Sequence, residues 1–379
     1  MAAAFATLVA GLVMFACGSW LLYYNEGRSA ATAEAIGEAQ RVTVDMSDVT
    51  KISPEFEGKM IHATGFADTK DTVTDSFSGL ETTAISLRRQ VEYYQWVESS
   101  KTETRKKVGG GEEKYTTYTY RLEWKNSPVD SSVFKDPQYV NKNTVLTTVP
   151  PETTFAKNVS FGAYSLPQFI LQEISDTVPS ALNLPQERIA ELNAEIFPNA
   201  GERSFVHAQN NVIYLGLSPS SPEIGDVRVT YTEVKPSYIS ILAQVIRNTF
   251  EPFRASNNNT FSAVAMGTAG AENMYGDAFT SNMTLTWGLR VAGIALVMFS
   301  IGLIMSPLPA LVSVAPILGS IAWAGTYLVA FVFGLAWSLI IIAAAWLRFR
   351  PLASGGILIV ALALIVLFRM KRNRKDAIV

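Results

Sequence analysis

Two histidines, one cysteine and a pair of glutamates bound the chemistry this chain can do. His62 and His207 each lie in an alternating, strand-like stretch. An imidazole can act as a base or a zinc ligand, but only with partners beside it, so each reads as a structural histidine. Cys17 is alone, which excludes a disulfide or a thiolate zinc site within one chain. Met14-Phe15-Ala16-Cys17 has the outline of a lipoprotein cleavage site, yet Trp20, Leu21, Leu22 and Tyr23 continue the apolar run past it. Cys17 therefore reads as a small residue on a membrane helix. Glu92 and Glu98 flank Trp96, and such a pair can do acid–base work, but acids spaced along a strand read first as a solvated face. Gly109-Gly110-Gly111 lacks the Lys-Ser/Thr that would open a helix on a phosphate. With no HExxH, GxSxG or P-loop, the expectation is no enzyme, no cofactor and no metal.

The elements around these residues are of two kinds. Residues 1–24 carry no charge, and between Trp287 and Phe368 the only charges are Arg290, Arg348 and Arg350. The region 25–285 reads as an ordinary water-soluble domain. Eight of 31 Lys+Arg and one of 33 Asp+Glu lie after residue 285, which leaves the rest at net −9. An acidic domain has no general attraction for nucleic acid, and that class of partner is set aside.

Residues 2–22 are long enough to span a bilayer and lack a basic opening, so 1–24 reads as a retained anchor with an aromatic belt at Trp20, Tyr23 and Tyr24. Asn25, Glu26, Gly27 and Arg28 mark the exit. Arg28 is expected to meet lipid phosphate or an acid of the domain, with Gly27 permitting a bend into a helical stalk over 25–40. Further spans are expected at 286–305, 321–347 and 353–369, with a Pro-rich membrane-associated connector at 306–320 (Pro307, Pro309, Pro316) and a basic tail at 370–379. No acid falls inside any of these four spans. The positive-inside rule places the tail in the cytoplasm and the large domain outside. Along the third span Ala322, Thr326, Ala330, Gly334 and Ser338 recur every four residues, a strip of small side chains that lets a neighbouring helix approach. Ala3, Thr7 and Gly11 repeat it in short form.

The domain at 41–285 is expected to be strand-rich. "QVEYYQWVE" (90–98) and "YTTYTYRLEWK" (115–125) alternate and form a long hairpin, with Tyr118, Tyr120, Leu122 and Trp124 on one face, read as packed on a core. A helical stretch over about 165–197 separates two strand-rich blocks, 41–150 and 200–268, which read as two related halves. The fold class is thus an integral membrane protein: a four-helix transmembrane region plus a large strand-rich α+β extramembrane domain.

Several landmarks occur together and in one order. They are Tyr24-Asn25-Glu26-Gly27-Arg28, Val91-Glu92-Tyr93-Tyr94-Gln95-Trp96-Val97-Glu98, and Tyr118-Thr119-Tyr120 with Glu123-Trp124. Trp287-Gly288-Leu289-Arg290 and Trp346-Leu347 with Arg350-Pro351-Leu352 follow. As a set they resemble the transmembrane protein 43 (LUMA) family over nearly the whole chain. The resemblance implies one N-terminal span, a large lumenal or periplasmic domain and a C-terminal membrane bundle. It implies oligomeric scaffolds that organise membrane proteins, at the endoplasmic reticulum and inner nuclear membrane in eukaryotes, and supplies no catalytic motif. This chain is read as a bacterial member, in the inner membrane with its domain periplasmic.

Four functions stand open on the residues: a scaffold binding other membrane proteins or copies of itself, an outer-face receptor, a channel or transporter built on 306–320, and an enzyme. The scaffold is favoured, with the lipid bilayer, other membrane proteins and a homo-oligomer as its partners.

Overall fold

In the computed structural model, residues 2–106, 112–306 and 316–347 are described, together with Ile359, Leu362, Ala363 and Val366. The chain opens with α1 (Ala2–Val42) and continues through β1 (Val44–Met46), β2 (Met60–Asp68), β3 (Thr72–Thr74) and β4 (Glu81–Thr83). The hairpin follows as β5 (Ser86–Lys106) and β6 (Glu112–Lys125). Next come β7 (Glu152–Phe155), β8 (Ser160–Phe161), β9 (Tyr164–Ser165), α2 (Gln168–Glu173), β10 (Thr177–Pro179) and α3 (Gln186–Ile196). The second strand-rich block is β11 (Val206–Gln209), β12 (Val212–Leu215), β13 (Val227–Val234), β14 (Ser237–Ile246), β15 (Thr249–Glu251), β16 (Phe253–Arg254), β17 (Thr260–Phe261) and β18 (Ala263–Met266). Two long helices close the described chain, α4 (Ala271–Met305) and α5 (Pro316–Trp346).

Among the described residues three helices are long and apolar enough to cross a membrane: Phe5–Val42, Ala271–Met305 and Tyr327–Trp346. The expected fourth span, 353–369, lies almost wholly outside the described residues, as do most of the 306–320 connector and the tail. Helix α5 starts at Pro316, five residues before the expected span, because proline at a first helical position gives up only an N–H that has no partner there anyway. At about 1.5 Å per residue, α1 runs roughly 60 Å and α4 roughly 50 Å, against a hydrocarbon core of about 30 Å. Both therefore continue past the bilayer without a break. Helical structure runs unbroken through Gly27, and α4 begins at Ala271, well before the span expected at 286–305. The helices touch closely where glycine allows it. A Cβ on Gly293 would sit 2.6 Å from Leu22 Cδ2, and one on Gly334 2.6 Å from Met298 Cγ.

The extramembrane part holds two seven-stranded sheets. Sheet one orders β15-β14-β2-β8-β9, with β1 beside β2 and β18 beside β14. Sheet two orders β11-β12-β13-β5-β6, with β10 beside β13 and β7 beside β5. Each sheet takes strands from both 41–150 and 200–268. Sheet one packs with α2 around Ile61, Phe161, Tyr164, Ile241 and Phe250. Sheet two packs with α3 around Leu87, Val91, Ile213, Val229 and Tyr231. The stretch 165–197 is two short helices rather than one: α2 ends at Glu173, β10 pairs with β13 over Thr177–Pro179, and Pro185 stands at the N-cap position of α3. The other side of sheet one seats the membrane helices: Ile36 and Ala39 of α1 and Met274 and Tyr275 of α4 pack against Met60, Leu242 and Phe261.

The hairpin departs from its expected packing. Its aromatic face is not laid on a core: Tyr118 is 36% exposed, and the base is roofed by the segment after β6. Tyr139 stacks on Tyr120 at 4.1 Å and meets Trp96 at 4.8 Å, and Phe134 lies 5.7 Å from Tyr120. Strands this long outrun the sheet beneath them, so only their base finds a cover. The tip glycines at 109–111 lie outside the described residues.

Candidate functional site

The residues brought together most tightly across distant sequence lie where α1, α4 and α5 meet. Glu26 sits mid-helix on α1, 1% exposed, one turn past Leu22. Arg290 of α4 grips it as a fork, with Nε at 2.5 Å from Oε1 and Nη2 at 2.8 Å from Oε2. The indole N–H of Trp346, at the end of α5, donates to Glu26 Oε2. The guanidinium lies 4.7 Å from the ring centre of Trp287 and 5.3 Å from that of Trp346, a cation between two aromatic faces. The carboxylate is thus buried, paired and tied to two other helices. Sequence reasoning placed no acid in the spans; the unbroken α1 carries one into the bundle's end, and removing either member of such a pair costs about 3–5 kcal/mol.

A second layer of polar contacts runs one turn further along the α1–α4 seam. Asn25, fully buried, donates to the Thr286 carbonyl at 3.0 Å. Arg28 donates to Asn282 Oδ1 (3.1 Å), Thr286 Oγ1 (3.2 Å) and Asn25 Oδ1 (3.3 Å), while its buried Nε has no partner. Its protein partners here are amides and a hydroxyl, where the sequence reading offered lipid phosphate or an acid of the domain. Asn282 donates to the Ser29 carbonyl at 3.0 Å, and Thr286 donates to the Asn282 carbonyl at 2.6 Å. Beside the pair, a cavity of about 300 Å³ is walled by Glu26, Arg290, Trp287, Trp346, Met283 and Phe279. Gly27 has open space around it.

The other candidates lie apart from this cluster. On α5, Ala330, Gly334 and Ser338 are buried, and Gly334 faces Met298 of α4. Ala322 and Thr326 belong to the same helix. Trp96 and Trp124 stand at the hairpin base, Trp124 beneath Arg228 at 4.5 Å and 5.1 Å from Tyr94. Arg350 and Pro351 lie outside the described residues. His62 faces two acceptors, Asp45 Oδ1 and the Ala269 carbonyl, each at 2.8 Å, and so links sheet one to the entry of α4. His207 pairs across the ladder with Tyr214. Glu92 and Glu98 are engaged rather than merely solvated. Arg228 bonds Glu92 at 2.6 Å, while Tyr120 Oη and the Lys135 N–H bond Glu98 at 2.6 and 2.7 Å. Those two donors hold the Glu98 carboxyl below its usual range.

Sequence reasoning missed a buried group in sheet two. Arg89 pairs with Asp75, both nearly fully buried, and Asp75 also accepts from Tyr231 Oη (2.9 Å) and Ser78. Burial and the Asp75 charge hold the Tyr231 hydroxyl far above its ordinary range. The membrane cluster did leave a trace: Asn282, Thr286 and Arg290 recur every four residues on a helix that is otherwise largely apolar. Among the described residues, no group of three or more His, Cys, Asp or Glu is placed to hold a metal ion.

Three long apolar helices locked by a buried ion pair, carrying a two-sheet domain, define a multi-pass integral membrane protein. Residues 93–351 match the family model for transmembrane protein 43, and the chain belongs to that family. Transmembrane protein 43 of Homo sapiens is 28% identical over 94% of this chain and 87% of its own length, and that of Rattus norvegicus is 28% identical over 95% and 89%. The Drosophila melanogaster homolog is 25% identical over 92% and 90%. No solved structure matches.

Proposed function

We propose that the protein is a non-enzymatic membrane scaffold, holding its outer domain at a fixed height and angle so that copies of itself or other membrane proteins assemble on it. One observation carries the reading: α1 and α4 pass unbroken from the bilayer into a hydrophobic seat on sheet one. The loop after β16 clasps α1 as well, Ser256 bonding Glu38 and Asn257 bonding the Ala31 carbonyl. A domain on a loose tether would need none of this. In this reading the domain is periplasmic in a bacterial inner membrane, with the basic tail in the cytoplasm. The test is the mass of the purified protein in lipid nanodiscs together with what co-purifies. A multimer or a stoichiometric membrane-protein partner supports the scaffold, and a monomer with no partner contradicts it.

A receptor is the second reading, supported by a cavity of about 430 Å³ at a gap in sheet two. There the pairing of β5 with β7 ends at Arg89 and its pairing with β6 begins at Tyr93, leaving that edge of β5 open at Gln90, Val91 and Glu92, beside Asn126 and Glu152.

A further inference from the structure

We propose that the outer edge of β6 is a self-pairing surface, on which two copies of this chain lay their β6 strands antiparallel about a two-fold axis at Thr117. This rests on the scaffold reading and gives it a partner and a contact.

Beyond Trp96 the hairpin stands alone. The ladder runs from Val97 opposite Arg121 to Lys106 opposite Glu112, and among the described residues no third strand pairs with either side of it. Thr116, Thr117, Tyr118 and Thr119 are all exposed. At about 3.4 Å per residue the arm reaches roughly 30 Å past the sheet. A sheet edge presents a row of N–H and C=O groups, and proteins ordinarily blunt it with charge, proline or a bulge. Tyr115 to Tyr120 reads Tyr-Thr-Thr-Tyr-Thr-Tyr, which has no charge, no proline and no glycine. Every residue in it favours a strand. The edge is therefore long, exposed and unguarded.

Charge selects the occupant. With Thr117 on the axis, Glu113 falls opposite Arg121 of the second copy, and the two-fold repeats that pair. Tyr115 falls opposite Thr119 and Thr116 opposite Tyr118, the aromatic and β-branched matches that stabilise antiparallel pairs. Moving the axis one residue, to Tyr118, sets Glu113 against Glu123 twice. The sequence thus complements itself in this register and repels in that one. Arg121 is 69% exposed and already pairs with Glu123 of its own strand, an exposed contact that is readily shared. Both copies sit in one bilayer, which raises their effective concentration for a contact this small.

The test uses the full-length protein in native membranes, with Cys17 replaced by Ala. A single Thr117→Cys places two thiols across the axis, within the Cα separation that a disulfide needs. Thr102→Cys, exposed on β5, the other strand of the same arm, is the control. Mild oxidation is expected to give several-fold more linked dimer at 117 than at 102. Adding Arg121→Glu should lower the yield at 117, and adding Glu113→Arg to that should restore it. Equal linking at 117 and 102, or no recovery in the charge-swapped pair, overturns the proposal. If the mass in nanodiscs is multimeric while 117 does not link, the arm is wrong and the scaffold stands. A monomeric mass sinks the self-pairing arm, and a monomer with no co-purifying partner sinks both.

Discussion

Replacing Glu26 by Gln leaves Arg290 charged, nearly buried and without its counter-ion, since the amide can hold at most one arm of the fork. Breaking one side of a buried pair costs about 3–5 kcal/mol, whereas replacing both partners with apolar groups of similar size is often neutral. Spread over an unfolding entropy near 0.5 kcal/mol/K for about 250 residues, that loss lowers the melting temperature by roughly 6–10 °C. Arg290→Met should cost a similar amount, because Glu26 is then the stranded charge. The double variant should recover most of the stability, giving a coupling energy of about 2 kcal/mol or more. Tryptophan fluorescence during a thermal ramp in detergent reads this directly, since Trp287 and Trp346 both lie against Arg290. Additive losses, with the double variant melting below either single one, would show that the two residues act independently and refute the reasoning.

Three further outcomes follow from the same geometry. Gly334→Leu forces a side chain where even a Cβ would lie 2.6 Å from Met298, so it should cost about 1–3 kcal/mol or more and change the particle's size in detergent, while Val329→Leu should not. Arg89→Ala strands the buried Asp75 carboxylate and should cost about 3–5 kcal/mol in chemical denaturation, while Arg88→Ala on the exposed face should stay within about 0.5 kcal/mol. Because the Glu98 carboxyl titrates lower in the fold than in the unfolded chain, its contribution is present above the ordinary carboxylate range and lost as pH falls through the folded value. Tyr120→Phe should therefore flatten the acid limb of a stability profile, and an unchanged limb would count against that bond.

The sequence exposes the parts of this protein that depend on periodicity. Uninterrupted apolar runs located the three described membrane helices, and alternation located β5 and β6. What stayed hidden depends on neighbours remote in sequence. Glu26 looked like an exit residue because the apolar run stops at Tyr24, but its burial comes from Arg290 and Trp346, which lie 264 and 320 residues away. Gly27 suggested a break in the geometry between span and stalk, yet α1 stays helical through it, with Ile36 and Ala39 packed on sheet one further along. The aromatic face of the hairpin looked like core because pattern alone cannot say how far a strand outruns its sheet. Asp75 and Arg89 left no signal, since neither alternation nor charge marks a buried pair on a loop and a strand.

The most direct test of the central claim is an electron cryo-microscopy map of the full-length protein in lipid nanodiscs. The account predicts more than one copy per particle, with density for α1 and α4 continuous from the bilayer into sheet one and the domain sharp at a single angle. A single copy whose domain is smeared over many angles above the membrane would contradict it.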